Sequence, residues 1–567
     1  MFNRMISLIL VFNSAQVALG AKMEKPFIIA MSQEADTLNP ILITASASTY
    51  VTLFINRPLV MLGPDWKWAC GLCDKLPSLE TGTAQIIDDK GQKKVIAQWR
   101  LRPNLKWADG TQLTAKDVRL GWEVGRSPHV AVANKDDFER IEAITIDAKD
   151  PLKFSITFRE VRHDFYQLNS LYALPSHIEA PIWERTKADP GAYERLTSYA
   201  MNPTNPGLYA GPYRVKEWQS GKLVSLQSNP NFFGVAAHIE RIDLKLTTNQ
   251  PMLEAALLSG EVDMLSEIGM SFDQAMQFDK QLTKHSEQRG RLKLELQDGP
   301  IYEHIDLNLR NPILSDKNVR KALVHAIDRN KLSQSLFYGR KVPATQFFHP
   351  LDAYYTANVA TYEYNPKQAA QLLEAAGWLA KESGPRYKDG KKLELSLMTT
   401  QGDKSREMVE QFIQSELRKV GIAVIIRNEP ARIFFSETMS RAKFSAMAMY
   451  AWVATPDVPP RSSMHSKEIP TRDNGWNGQN FPGWKNPRVD AILDLSTREF
   501  DLAKRKALMA ELMQIYVDDV PAIPLYLRSE IAIIPARLQN FRITGHSMYS
   551  SQAAETWELG PVAADKP

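Results

Sequence analysis

The sequence predicts an α/β protein with parallel crossovers, and three observations carry that prediction. The apolar period switches back and forth between strand and helix values over 393–450. The chain, at 567 residues, is too long for one core and calls for two to four domains. A second region, 61–172, reads as a β-rich layer of its own. In the first of these, Leu393, Leu395 and Leu397 alternate as a strand does. Val409, Phe412, Ile413, Leu417 and Val420 then share one helical face, and Gly421 stands where a left-handed glycine ends a helix. Ile422–Ile426 returns as an apolar strand, a short helix is predicted over Ile433–Arg441, and Phe444–Tyr450 is predicted as a third strand. Strand, helix, strand, helix, strand is the order that right-handed crossovers produce. Parallel sheets bind ligands beyond the carboxyl ends of their strands. Ala451, Trp452, Val453, Thr455 and Asp457 follow the third strand and are therefore candidate ligand contacts. The plain alternative packs Trp452 in the core and uses Asp457 to shape the turn after Pro456.

From the N-terminus, Arg4 and the apolar run Ile6–Phe12 precede small residues Ala18 and Gly20, the pattern of a secretory signal peptide over 1–20 with a cut ahead of Ala21. No Cys lies near that cut, so no lipid anchor is predicted. Phe27–Met31 reads as a buried strand, Asp36–Pro40 as a turn, Ala45–Thr52 as small and polar, and Leu53–Val60 as apolar again. Cys70 and Cys73 are the two cysteines. In an exported chain the pair reads as a small disulfide loop; a thiol-redox site is the alternative, and a metal would need further Cys or His. Strands are predicted over Val95–Leu101, Ile141–Ile146 and Phe154–Phe158, with an Asp109-Gly110 turn and a helix Ala115–Gly125 capped by Thr114. Later helices begin near Ser315 or Asp316 and at Pro366 behind Asn365, the second ending at Gly377.

Composition excludes several classes. Sixty-nine basic and 65 acidic residues are spread evenly for a net charge of +4, with no basic run that tracks phosphates, so nucleic acid is not a predicted partner. No serine elbow, His-Glu-x-x-His or phosphate-cradling glycine loop occurs, and no two of the ten His stand at metal-ligand spacing. Neither a catalytic residue, a cofactor nor a metal site is predicted.

Four segments resemble one family. Trp99–Val118, Gly211–Trp218 with Asn229–Gly234, Val319–Arg329, and Phe481–Asp490 are similar, in that order, to the family 5 extracellular solute-binding proteins, receptors of ABC importers for oligopeptides, dipeptides and nickel. The resemblance implies a periplasmic-binding-protein-like α/β fold: two lobes with a hinge, and three domains of which the first is discontinuous. Its boundaries are 21–62, 173–303 and 525–567 for domain I, 63–172 for the β-rich domain II, and 304–524 for domain III. It also implies a monomeric periplasmic receptor that closes on a short peptide and docks on an inner-membrane permease. A sugar, a modified peptide or a metal chelate is the alternative solute. By the same matching Thr44, Ser46 and Tyr526 face the cleft, and Ala451–Thr455 lies along the ligand. Relatives place an Asp at the position of Thr455 to pair with the peptide amine; here Asp457 would have to reach in, or the ligand lacks a free amine. Arg432 is a candidate partner for a ligand carboxylate.

Overall fold

The computed structural model describes residues 25–133, 135–284 and 290–561. The leader predicted over 1–20 lies outside the described residues. Among these, a ten-stranded sheet organises the chain, and a four-stranded antiparallel sheet (Ala84–Asp89, Gln92–Arg100, Lys153–Phe158, Ile141–Ile146) stands apart from it. At the centre of the large sheet two long strands, Leu292–Leu307 and Ala522–Pro535, pair antiparallel. One flank carries Met447–Val453, Glu394–Met398 and Ala423–Ile426; the other carries Met264–Leu265, Phe27–Met31, Arg241–Leu246, Leu223–Ser228 and Tyr213–Gln219.

The long strands belong to two cores at once, which is what makes two lobes. Ala532 and Ile534 pack in the N-terminal core with Phe27, Tyr50, Trp99 and Trp557. Ile305, Ile523 and Leu525 pack in the C-terminal core with Val319, Leu395, Val409 and Ile413. Between the lobes their ladder breaks: Asp298 pairs with Ser529 and Tyr302 with Leu527, so Gly299, Pro300 and Ile301 face Arg528 alone. Pro300 has no N–H to give, and a Cβ on Gly299 would stand 2.4 Å from the Gly545 carbonyl. Such a bulge bends a strand where the chain passes from one lobe to the other.

The segment 393–453 folds as its pattern predicts, with two corrections. Glu394–Met398 pairs parallel with both Ala423–Ile426 and Met447–Val453. The intervening helix Lys404–Lys419 starts where the Asp403 side chain accepts from the Arg406 N–H (3.1 Å) and stops before Gly421 at φ +84°. The helix predicted over 433–441 is present two residues earlier, as an α-helical turn Ala431–Ile433 that widens into a π-helix over Phe434–Met439. The third strand runs Met447–Val453, three residues later than predicted. Ala451, Trp452 and Val453 are thus strand residues, not residues beyond its end. Pairing explains the shift, because Leu292–Leu307 supplies partners as far as Ile301 opposite Val453.

Among the N-terminal elements with no sequence expectation are a helix and an edge strand. Ser46–Ile55 is a helix, though Val51, Thr52 and Ile55 are β-branched, because all of its residues from Tyr50 onward are buried in the core. Ala84–Asp89 is an edge strand with little apolar alternation to mark it. Elsewhere local chemistry sets the ends. Thr114 and Asp117 form a reciprocal cap, and Asn365 accepts from the Gln368 N–H at 3.0 Å. Asp316, not Ser315, caps Lys317–Ala326.

Candidate functional site

The rim of the C-terminal lobe is made by Met447–Val453. Its first two residues pair with Leu397 and Met398 on one side, but from Met449 onward that edge meets no strand among the described residues. The other edge is fully paired to Leu292–Leu307. Main-chain groups of Tyr450–Val453 therefore stand on an open sheet edge, which accepts an extended chain in β-addition. Apolar surface surrounds this edge. Val453 is 65% exposed and Phe435 43%. Trp452, half-buried, stacks on Phe481 (ring centroids 5.9 Å) and meets the edge of Tyr450 at 5.4 Å. Behind Trp452 lies a narrow cavity lined by Tyr302, His304, Asp306, Phe347 and Trp484.

The other predicted contacts are distributed unevenly. Thr455 is exposed at the end of the rim strand. Asp457 is drawn away from it: its backbone is left-handed (φ +60°), its side chain is 14% exposed, and Arg505 lies 3.4 Å from it. Arg432 is exposed on the single turn 431–433. Tyr526 is 2% exposed in the C-terminal core, against Phe337. Thr44 and Ser46 are both exposed on the facing lobe; the Thr44 hydroxyl donates to Asp36, and Ser46 lies within side-chain reach of Tyr549. The lobes touch along their seams, where Trp66 stacks on His349 at 4.4 Å and Ser405 donates to Asp273 at 2.6 Å. Cys70 and Cys73 form a disulfide (Cα–Cα 5.0 Å) between a short strand and a loop, with no free cysteine among the described residues.

The floor beside the strand bulge holds charges that the sequence reading missed. Glu303 is wholly buried and receives Arg406 Nε at 2.6 Å and Arg528 Nε at 2.7 Å. Burial pushes its carboxyl up, and the two guanidinium charges outweigh that and hold it below the ordinary value. Lys341 lies within 4.7 Å of the Phe272 and Tyr526 ring centroids and 3.7 Å of that of Phe337. Burial and the nearby Arg528 charge push its ammonium down to about 8. One signal was available: Glu303 shares the period-two face of Ile301, Ile305 and Leu307, so a carboxylate there must be buried.

No group of three or more His, Cys, Asp or Glu able to hold a metal occurs among the described residues.

Residues 94–471 match the family model for bacterial extracellular solute-binding proteins, family 5 (middle region). The oligopeptide-binding protein AppA of Bacillus subtilis is 24% identical over 557 residues, 96% of this chain and 94% of that one. Among solved structures, the oligopeptide-binding protein of Thermus thermophilus complexed with a pentapeptide is 28% identical, with a TM-score of 0.67 over 94% of this chain and 96% of that chain. NikZ of Campylobacter jejuni, complexed with Ni(L-His), is 22% identical with a TM-score of 0.66 over 94% and 99% of the two chains, a likeness of fold alone.

Proposed function

We propose, from the premise that this chain belongs to the family 5 bacterial extracellular solute-binding proteins, that it is a receptor for short peptides. The observation that carries the reading is the open edge of Tyr450–Val453, together with a pentapeptide-bound relative that matches 94% of the chain. An extended peptide would pair its main chain with that edge and lay side chains against Trp452, Phe435 and Val453. Thr44 and Ser46 would meet it from the facing lobe. A ligand touching both lobes stabilises the closed arrangement by its differential affinity, and the bulged pair of long strands is where the bend falls. The moving units proposed are 304–524 against the remainder, with 63–172 as a separate domain. The closed form would hand its cargo, unaltered, to an ABC permease in the inner membrane, and the receptor would act as a periplasmic monomer.

Thr455 favours a second reading. Its hydroxyl can accept from an ammonium but cannot neutralise it, so a solute without a free amine, such as a modified peptide, a sugar or a metal chelate, is the competitor. Native mass spectrometry of protein purified from its own source separates the two. A ladder of peptide masses released from the complex is the expected result. One fixed non-peptide mass would overturn the peptide reading and leave a receptor for another solute.

A further inference from the structure

On the N-terminal side of the floor stands a polar cluster that the rim does not use. Glu267 follows Met264–Leu265, which runs parallel to Phe27–Met31, so it lies beyond a carboxyl end of the parallel strands. Glu530 shares a face of its long strand with Ala532 and Ile534, both in the N-terminal core. Along that face the side chains turn from apolar to charged as the strand nears the other lobe, Glu530 first and then Arg528.

The cluster is short of partners. The Ser550 N–H donates to one Glu267 oxygen at 2.9 Å, and the Gly545 N–H lies within reach of Glu530. The Ser550 hydroxyl lies within side-chain reach of both Tyr50 and Glu267, while the other Glu267 oxygen and Glu530 Oε2 are buried and meet no partner at full hydrogen-bond distance among the described residues. Glu267 is 9% exposed, Ser550 1%, and Tyr50 and Ser551 are wholly buried. No Lys, Arg or His pairs with either carboxylate among the described residues. The cluster is not sealed, for Glu530 and Tyr549 are partly exposed and Ser46 beside Tyr549 is open to the cleft.

We infer that Glu267 and Glu530, with the hydroxyls of Tyr50 and Ser550, form a subsite for a cationic group of the solute, an ammonium or a guanidinium. The hydroxyls can donate as well as accept, but the two neighbouring carboxylates only accept when ionised, and together they favour a positively charged donor over a neutral one and exclude an anion. A metal ion would need more ligating side chains than the two carboxylates supply. Burial, together with the charge of Glu267, raises the Glu530 carboxyl well above its ordinary range. The inference rests on the receptor reading in one respect, that the solute enters between the lobes. It supplies the positive-charge partner that Thr455 lacks, and places it on the opposite lobe.

Calorimetric titration of the mature protein with three probes tests it. Tetra-alanine carries only an N-terminal ammonium, N-acetyl-Ala-Lys-Ala-Ala only a side-chain ammonium, and N-acetyl-tetra-alanine neither. Wild type should prefer at least one of the cationic probes over the acetylated control by about tenfold or more, and which one identifies the source of the charge. In Glu267→Gln and Glu530→Gln that preference should fall below about threefold; a preference that survives in both overturns the inference. Glu530→Lys decides the matter without any ligand, since its own ammonium would occupy the subsite. The unliganded melting temperature should hold or rise, and a fall of more than about 5 °C would overturn the inference. Should no peptide bind wild type, the peptide reading fails while the Glu530→Lys melt still judges the cation subsite.

Discussion

Glu303 and Glu530 stand on neighbouring strands of one ladder, on either side of the same bulge; Glu303 is wholly buried, and Glu530 is partly exposed with its Oε2 buried. Glu303 has two guanidinium groups within 2.7 Å; Glu530 has the Gly545 N–H and the Glu267 carboxylate near it, and no cation among the described residues. A buried charge with its partners holds structure together, and one without them makes the structure wait for something. The paired site ties Arg406, on the helix 404–419, to Arg528 on the long strand, and so fixes the C-terminal lobe to the hinge. The unpaired site belongs to the wall across the cleft. Sequence alone gives both residues the same letter and the same position in an apolar period.

The largest effect expected from breaking this contrast is at the paired site. Glu303→Ala leaves two arginines facing each other without an anion and should lower the stability of the C-terminal lobe by about 3–5 kcal/mol. Thermal and denaturant unfolding of the unliganded protein read this directly, and a loss under about 1 kcal/mol would mean that Arg406 and Arg528 find water instead. At the unpaired site the sign reverses. Glu530→Gln removes a carboxyl that the fold disfavours when ionised, and should raise unliganded stability by about 1–3 kcal/mol near neutral pH.

The two sites should also answer pH in opposite directions. The Glu303 carboxyl is held below its ordinary value of 4.5, so its stabilisation is present above that pH and is lost as pH falls through the depressed folded value. Glu267 and Glu530 are raised above 4.5 by burial, so stability is greatest below that value and declines as pH rises through the folded range. Melting curves from mildly acidic to alkaline pH should show this decline in wild type and a shallower one in Glu530→Gln. Identical slopes would sever the link between the cluster and the pH response.

How much of this was legible follows the kind of interaction involved. The crossover segment 393–453 could be read because its helix and strands each bury one face at a fixed period, and because Asp403 and Gly421 mark the helix ends. The helix Ser46–Ile55 could not, since its β-branched residues favour strands and only tertiary burial overrides them. Trp452 was legible as an aromatic near the rim, but the strand containing it was placed three residues early, for want of knowing that Leu292–Leu307 extends its ladder. Tyr526, offered by the family resemblance, and Asp457, offered by its place after the rim strand, proved to be tied down, one in the core and one against Arg505. Glu303 and Glu530 carried a signal in their apolar periods. Whether each has a cation lies in contacts hundreds of residues apart, as with Arg528 and Glu303, and no local pattern records that.

Trp452 separates contact area from charge. Its stacking on Phe481 and edge contact with Tyr450 make it part of the lobe as well as of the rim, so Trp452→Ala should cost about 1–2 kcal/mol of unliganded stability. It should weaken acetylated and free-amine tetra-alanine by the same factor, about tenfold, because an aromatic wall reads shape rather than the distant ammonium. A loss confined to the free amine would place the cation beside Trp452 and would weaken the case for Glu530.

The smallest expected effect is the most discriminating. Thr455→Asp puts a carboxylate at the rim, on the opposite lobe from Glu267 and Glu530. If the solute's ammonium already sits on that pair, the new charge has nothing to neutralise, and affinity for tetra-alanine should change by less than about twofold. Combined with Glu530→Gln, the same substitution becomes the stronger remaining anion, and should recover about fivefold of what the single variant loses. A large gain from Thr455→Asp alone would show that the ammonium lies at the rim in the native receptor, with only a hydroxyl to meet it. The two substitutions thus form a double-mutant cycle across the cleft, and the sign of their coupling says which wall holds the charge.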